Sequence, residues 1–465
     1  MFQRIRKYIL FIQYAIKGTN EDLTNIKISR AIILLSIPMV LEMVMESLFA
    51  VVDVFFVAQV STNAVATVGL TESVITIVYS LGIGLSMAAT AMVARRIGEK
   101  KKKEASHTAV QSIILTLAVS LALSVAGFIY GEDVLRLMGG EEDLIKEGRW
   151  YTKILFASNG TIMLLFLING IFRGAGNAAI AKRALWLSNI LNMILDPIFI
   201  FGWGPIPAMG VTGAAVATAI GRSIGVLYQL YHLLKGTGVI SVSFQHIKPD
   251  FSVIGRIIKI ASGGVGQFLI ESASWIFLVR IISNFGSEVL AGYTIALRII
   301  IFTILPSFGI SNAGATLVGQ NLGAKLPERA EKSVWLAARY NVIFLFTVSL
   351  IFYVFSNEIV GIFTDVEAVK KEAIKAVRYI CFGYIFFAYG MVLSHAFNGA
   401  GDTKTPTIIN FVCFWLFQIP LAYFMANNLG LGSDGVYLGI VFAFSLLAVI
   451  SIIWFKRGKW KLTEV

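Results

Sequence analysis

The chain has 465 residues, 57% of them apolar and only 14% charged, with a mean hydropathy of +0.78. A soluble fold of that size needs far more polar covering, so the composition excludes one and leaves an integral membrane protein. The net charge of +12 invites a nucleic-acid reading, which the placement of the charges along the chain decides.

The opening residues, MFQRIRKYILFIQYAIKG, set Phe2, Ile5, Ile9, Ile12 and Ile16 at spacings of three and four with basic residues between them. This predicts an amphipathic helix lying at the membrane surface, within a cytoplasmic or interfacial N-terminal segment at 1–30, and not a signal peptide, since the apolar stretch is short and no small-residue cleavage site follows. Twelve apolar runs follow, at 31–60, 68–93, 106–129, 150–172, 180–203, 210–234, 254–284, 293–318, 333–355, 376–397, 405–427 and 434–456. About 20 residues cross a hydrocarbon core of roughly 30 Å, and barrel strands alternate apolar and polar over about ten, so these runs predict an all-α protein with twelve transmembrane helices. With the N-terminus placed in the cytoplasm, 26 Lys and Arg fall on cytoplasmic segments and 6 on the opposite side. The positive-inside rule then predicts a multi-pass protein of the plasma (inner) membrane with both termini cytoplasmic. The cluster RRIGEKKKKEA at 95–105 reads as a topology anchor beside anionic lipid, with no nucleic-acid partner.

An internal repeat organises the whole. GLSMAATAMVARRIGEK at 84–100 matches GISNAGATLVGQNLGAK at 309–325, and FRGAGN at 172–177 matches FNGAGD at 397–402, both at an offset of 225 residues. Gly210-Val211 with Gly435-Val436, and Glu46 with Glu271, share that offset. Six crossings per half is an even number, so the halves are parallel repeats related by an axis along the membrane normal. The division expected is an N-lobe at 31–234, a cytoplasmic linker at 235–253, a C-lobe at 254–456 and a cytoplasmic tail at 457–465. A cavity between the halves, opened alternately by rocking, is the mechanism such a duplication suggests.

The acids inside the runs carry the chemistry. At about 1.5 Å per residue, Asp53, Asp196 and Thr218 all fall roughly 10–12 Å beneath the outer boundary, with Asn192 one turn from Asp196 on the same face. Two carboxylates, an amide and a hydroxyl at one level suit a proton or a hard cation such as Na⁺, the alternative being that Asp196 caps a helix break or pairs with a buried donor such as Arg222. Pro197 removes an N–H and lets its helix bend. Glu42, Glu46 and Asp53 form one acidic stripe on the first transmembrane helix, expected to line a cavity that attracts organic cations, with Glu271 facing it from the second half. No phosphate-binding G-x-x-x-x-G-K-[ST] occurs, the four histidines show no metal-ligand spacing, and Cys381 and Cys413 lie in apolar runs. Neither an enzyme nor an ATP-driven pump is expected, and no cofactor beyond a coupling ion.

SIPMVLEMVMESLFAVVDVFFV at 36–57, the NxxxDP of Asn192 to Pro197, GAAVAT at 213–218 and the paired FRGAGN and FNGAGD loops together resemble the multidrug and toxic compound extrusion (MATE) family. The resemblance spans the whole chain and implies a V-shaped two-lobe fold and antiport of small organic cations against H⁺ or Na⁺; the partners expected are those cations and membrane lipid, and the chain is expected to be a monomer. It also implies an N-lobe coupling site at Asp53, Asn192, Asp196 and Thr218, a bending proline at Pro38 and, as in the NorM branch, a helix 7 glutamate at Glu271. The stretch YIFFAYGMVLSHAF at 384–397 lacks the acid that NorM-type members carry there, which tilts the chain toward the DinF-like branches. A lipid-linked precursor flippase of the same superfamily is the alternative, and it would be expected to hold phosphate with positive charge.

Overall fold

The computed structural model describes residues 2–18, 21–236, 239–242 and 247–465. The side chains of Phe2 and Ile5, and residues 237–238 and 243–246 of the linker with His246, lie outside the described residues. Helix α1 (Phe2–Lys17) packs on α2 (Ile28–Val57) and α7 (Ala178–Phe201). It buries Ala15 and leaves Ile9, Leu10 and Ile12 about half exposed. Its last carbonyls are tied down from α7, with Lys182 Nζ donating to Ile16 at 2.9 Å and Arg183 donating to Lys17.

The first repeat is α2, α3 (Thr62–Gly98), α4 (Lys102–Leu137), the pair α5 (Glu142–Ala157) and α6 (Asn159–Gly174), α7, and α8 (Val211–Lys235). The second is α9 (Phe251–Ile282), α10 (Ser287–Gly323), α11 (Pro327–Val354) with the short α12 (Ser356–Gly361), α13 (Glu367–Ala400), α14 (Lys404–Asn428) and α15 (Ser433–Lys456). Among the described residues ten helices are long and apolar enough to cross a membrane, and the α5–α6 pair, bent by 41°, makes an eleventh. Helix α2, 30 residues long, opens the first repeat and carries the acids read from the sequence. The bend corrects the continuous run expected at 150–172. Asn159 is fully buried at the break, and its Nδ2 donates to the Phe156 carbonyl at 2.7 Å and to Ser124 Oγ at 3.0 Å, so a side chain takes over hydrogen bonding that a straight helix would supply.

The duplication is visible in the packing. Gly84 of α3 lies against Ala261 and Val265 of α9, and Gly309 of α10, 225 positions on, lies against Met39 and Val40 of α2. A Cβ on Gly98 would stand 2.0 Å from the Gln320 carbonyl oxygen, and one on Gly323 2.1 Å from that of Arg95, again 225 apart. The two halves thus grip each other through paired backbone contacts at the end of α3 and α10 that lies nearest the chain tail. Arg95 Nη2 adds a hydrogen bond to the Thr463 carbonyl at 2.7 Å, and Gln320 Nε2 one to the Gly174 carbonyl at 2.9 Å.

One sequence match is corrected. Gly210 (φ 55°, ψ −139°) corresponds to Gly432 (φ 57°, ψ −136°), each opening the last helix of its repeat in a conformation that favours glycine. Met209 and Gly210 donate to the carbonyls of Phe199 and Ile200, as Leu431 and Gly432 do to those of Met425 and Ala426. The offset there is 222, so Gly435 answers to Gly213 and not to Gly210. Across α7 and α14 it is 226, because π-type turns in α14 take up an extra residue, and the loop that follows α14 is shorter.

Candidate ion and substrate site

The stripe on α2 meets a different partner at each level. Glu42, 1% exposed, accepts at Oε1 from Asn169 Nδ2 at 2.9 Å and Arg173 Nη1 at 3.1 Å, both on α6. One turn on, Glu46 accepts at Oε1 from Arg222 Nη2 at 3.0 Å and at Oε2 from Asn189 Nδ2 at 3.0 Å. Arg222 is 2% exposed and stacks its guanidinium over the Phe49 ring at 5.0 Å. Two further turns on, Asp53 has its Oδ1 buried with no hydrogen-bond partner.

Asp196, fully buried on α7, accepts at Oδ1 from Asn192 Nδ2 at 3.2 Å, and the same amide donates to Thr218 Oγ1 of α8 at 3.1 Å. Asp196 Oδ2 and Asn192 Oδ1 are left buried and unpartnered. Asp53 lies within electrostatic reach of Asp196, of Glu72 on α3 and of Arg222. The structure therefore brings Asp53, Asn192, Asp196 and Thr218 into one cluster, with Tyr79 of α3 and Tyr151 of α5 within the same electrostatic range. Among the described residues no three His, Cys, Asp or Glu side chains converge as a metal centre. Carboxylate, amide and hydroxyl oxygens with spare acceptor capacity suit a proton or a hard monovalent cation.

The expected cavity stripe needs correction on one point. Glu42 and Glu46 do not stand free in a cavity, because Arg173 and Arg222 neutralise them, and a buried unpaired carboxylate would cost several kcal/mol. Helical periodicity puts acids on one face; it is silent on which basic side chains of other helices meet them. Arg173, counted among the surface charges of a loop, is for the same reason buried against Glu42. Asp196 does not pair with Arg222, which is committed to Glu46. Glu72 is the acid that sequence reasoning missed. It is the single acid of α3, ten positions on from Thr62, and carried no periodic signal beyond being a charge in an apolar run.

Glu271 on α9 is half-buried, and among the described residues its carboxylate has neither ion pair nor hydrogen bond. It is the positional counterpart of Glu46, since Trp415 Nε1 donates to the Ile270 carbonyl at 2.9 Å much as Asn189 Nδ2 reaches that of Met45 at 3.5 Å. Pro38 is buried beside the α2–α10 contact, and Pro197 follows Asp196 within α7. His395 packs edge-on against Phe308 at 5.4 Å.

The MatE family profile matches this chain twice, over residues 38–198 and 265–424, once in each repeat. The chain is 28% identical over 464 residues to the probable multidrug resistance protein NorM of Thermotoga maritima, covering 98% of this chain and 97% of that protein. It is 23% identical to the probable multidrug resistance protein YoeA of Bacillus subtilis, covering 94% and 96%. Among solved structures it superposes with a TM-score of 0.89 and 27% identity on the outward-facing conformation of a multidrug resistance MATE family transporter of the MOP superfamily, covering 95% of this chain and 98% of that one. Ten or eleven apolar spans among the described residues, a double match to the family and a full-length structural likeness make this chain a member of the MatE family, whose members are transporters and not enzymes.

Proposed function

We propose that this protein is a secondary antiporter of the plasma membrane that exports cationic amphiphilic compounds in exchange for H⁺ or Na⁺, with its N-lobe (31–234) as the coupling lobe. The observation that carries this reading is the set of three buried oxygens without partners, on Asp53, Asn192 and Asp196, gathered at one level of the first repeat. A protein that leaves acceptors unsatisfied in low dielectric incurs a cost that a bound cation removes. The names of NorM and YoeA support a drug as the exported solute. The acid-free stretch 384–397 supports coupling in the first repeat. A flippase for lipid phosphate would need a guanidinium whose charge is uncompensated, and the buried Arg173 and Arg222 each have their charge balanced by a glutamate.

In this proposal both termini are cytoplasmic, the two lobes rock about the linker, and Pro38 and Pro197 let α2 and α7 bend. The test is ethidium efflux from intact cells with and without an imposed H⁺ or Na⁺ gradient. Efflux should require one gradient, and Asp196→Asn should reduce it to the background of cells lacking the protein while the variant accumulates normally. Gradient-independent efflux, or normal efflux by that variant, overturns the reading.

A further inference from the structure

Among the described residues Arg222 is the cation inside the acidic cluster, and it is under-used. Its Nη2 is bound to Glu46, yet its Nη1 is buried with no partner. The groups around it are Glu46 and Asp53 on α2 and Tyr79 on α3, with Glu72 of α3, Tyr151 of α5 and Asp196 of α7 in the same cluster. Glu46 and Asp53 are seven residues apart on one face of α2, about 10 Å along the axis. Phe49 lies between them, and the guanidinium rests on its ring. A long side chain pivoting on that ring can address either carboxylate without moving a helix, and each carboxylate has spare acceptor capacity.

We propose that Arg222 is a resident cation that exchanges partners, bound to Glu46 while the coupling ion occupies Asp53 and Asp196, and drawn onto Asp53 when that ion leaves, so that Glu46 is bared to an organic cation. The proposal rests on the coupling-site reading above and deepens it. Ion and substrate become mutually exclusive because a single guanidinium covers whichever carboxylate the cargo does not hold. The coupling needs no transmitted distortion, only the different stability of two ion pairs.

The experiment measures ethidium binding to purified protein as the coupling ion, whichever drives efflux, is raised from absent to saturating. In the natural chain affinity should fall by about tenfold or more. In Arg222→Gln it should change by less than about twofold while both ion and dye still bind, and Arg222→Lys should keep part of the dependence, since the charge is retained. The double variant Glu46→Gln with Arg222→Gln removes any burden of an unpaired Glu46 and should also lose competition. Full ion dependence in that double variant would show that Arg222 merely neutralises Glu46 and would overturn the exchange. Asp53→Asn with Asp196→Asn separates the two ideas. Dependence lost there but kept in the Arg222 variants leaves the coupling site standing and removes the exchange; dependence kept in both removes both.

Discussion

The two repeats share a backbone plan and differ in what fills it. In the first, the space between α2, α3, α7 and α8 holds Asp53, Glu72, Asp196 and Arg222; the matching positions of the second hold Leu278, Leu297, Ala422 and Phe444. Leu278, Ala422 and Phe444 are all within 1% of full burial and belong to one apolar core. Thr218 likewise gives way to the buried Ile440, and Asn192 to the buried Gln418. After duplication one half thus became a packed scaffold and the other kept polar space, which is the asymmetry expected when one lobe holds an ion and the other is a rigid body for it to move against. The exception is Glu271, which keeps the acid of Glu46, while the position matching Arg222 is the apolar Phe444.

The comparison breaks most sharply at Glu42 and Arg173. Their counterparts, Gln267 and Asn398, form a reciprocal amide pair, with both N–H···O bonds at 3.0 Å. Where one half uses a buried ion pair, the other uses two neutral amides in the same place. Arg173→Asn alone should cost about 3–5 kcal/mol, because it strands Glu42 in the interior. Adding Glu42→Gln should restore most of the loss by rebuilding the second repeat's arrangement in the first. Thermal unfolding in detergent checks both, and a double variant no better than the single would mean that the ion pair has a role its amide counterpart cannot fill.

Next in size is the seam where the halves meet. Gly98→Ala or Gly323→Ala places a methyl against a carbonyl oxygen of the opposite repeat, and overpacking of this kind typically costs about 1–3 kcal/mol. The strain falls only on the conformation in which these ends touch, so each variant should raise the accessibility of a cysteine introduced at Ala94 or Gly319 to a membrane-permeant thiol reagent. By the symmetry of the contact the two variants should behave alike. A response from one alone would show that the repeats do not share the seam equally.

These cases mark what the sequence discloses. Apolar runs, the repeat and the shared level of Asp53 with Asp196 follow from composition, periodicity and rise per residue, all properties of one helix at a time. The pairing of Glu42 with Arg173 and of Glu46 with Arg222 joins residues 131 and 176 positions apart, and nothing local specifies it. The changes of register escaped for a related reason: a π-type turn in α14 leaves no compositional trace, and the shorter loop after it moved the matching glycine from Gly435 to Gly432, which a constant offset cannot follow.

A smaller effect is expected at Glu271. With no cationic partner among the described residues, its carboxylate is free to meet a positively charged solute, so Glu271→Gln should weaken binding of monovalent organic cations by about tenfold, or about 1.4 kcal/mol, and leave neutral substrates unaffected. Glu46→Gln, by contrast, should act on both classes, because it releases Arg222 into the site. Equal losses for neutral and cationic substrates in Glu271→Gln would make that acid structural.

The smallest effect lies outside the membrane, where the linker between the repeats docks. Asp250 caps α9, accepting at Oδ1 from the backbone N–H of Ser252 at 3.0 Å and Val253 at 3.2 Å, and its Oδ2 meets His107 Nε2 of α4 at 3.2 Å. Gln111 of α4 fastens the same segment, accepting from Asp250 N and donating to the Lys248 carbonyl, both at 2.9 Å. The Val253 N–H, and then the His107 ring, hold the Asp250 carboxyl below its ordinary range. A carboxyl whose folded value is depressed stabilises the docked form above its unfolded value and loses that contribution as pH falls through the folded one. The protection factors of the Ser252 and Val253 amides, measured against the intrinsic exchange rate at each pH, should therefore be high at neutral pH and fall in acid. Asparagine caps a helix about as well as aspartate but does not titrate, so Asp250→Asn should keep the neutral-pH protection and lose the acid step, whereas Asp250→Ala should lose protection throughout. An acid step that survives in Asp250→Asn would assign the linker's pH response to a group other than this cap.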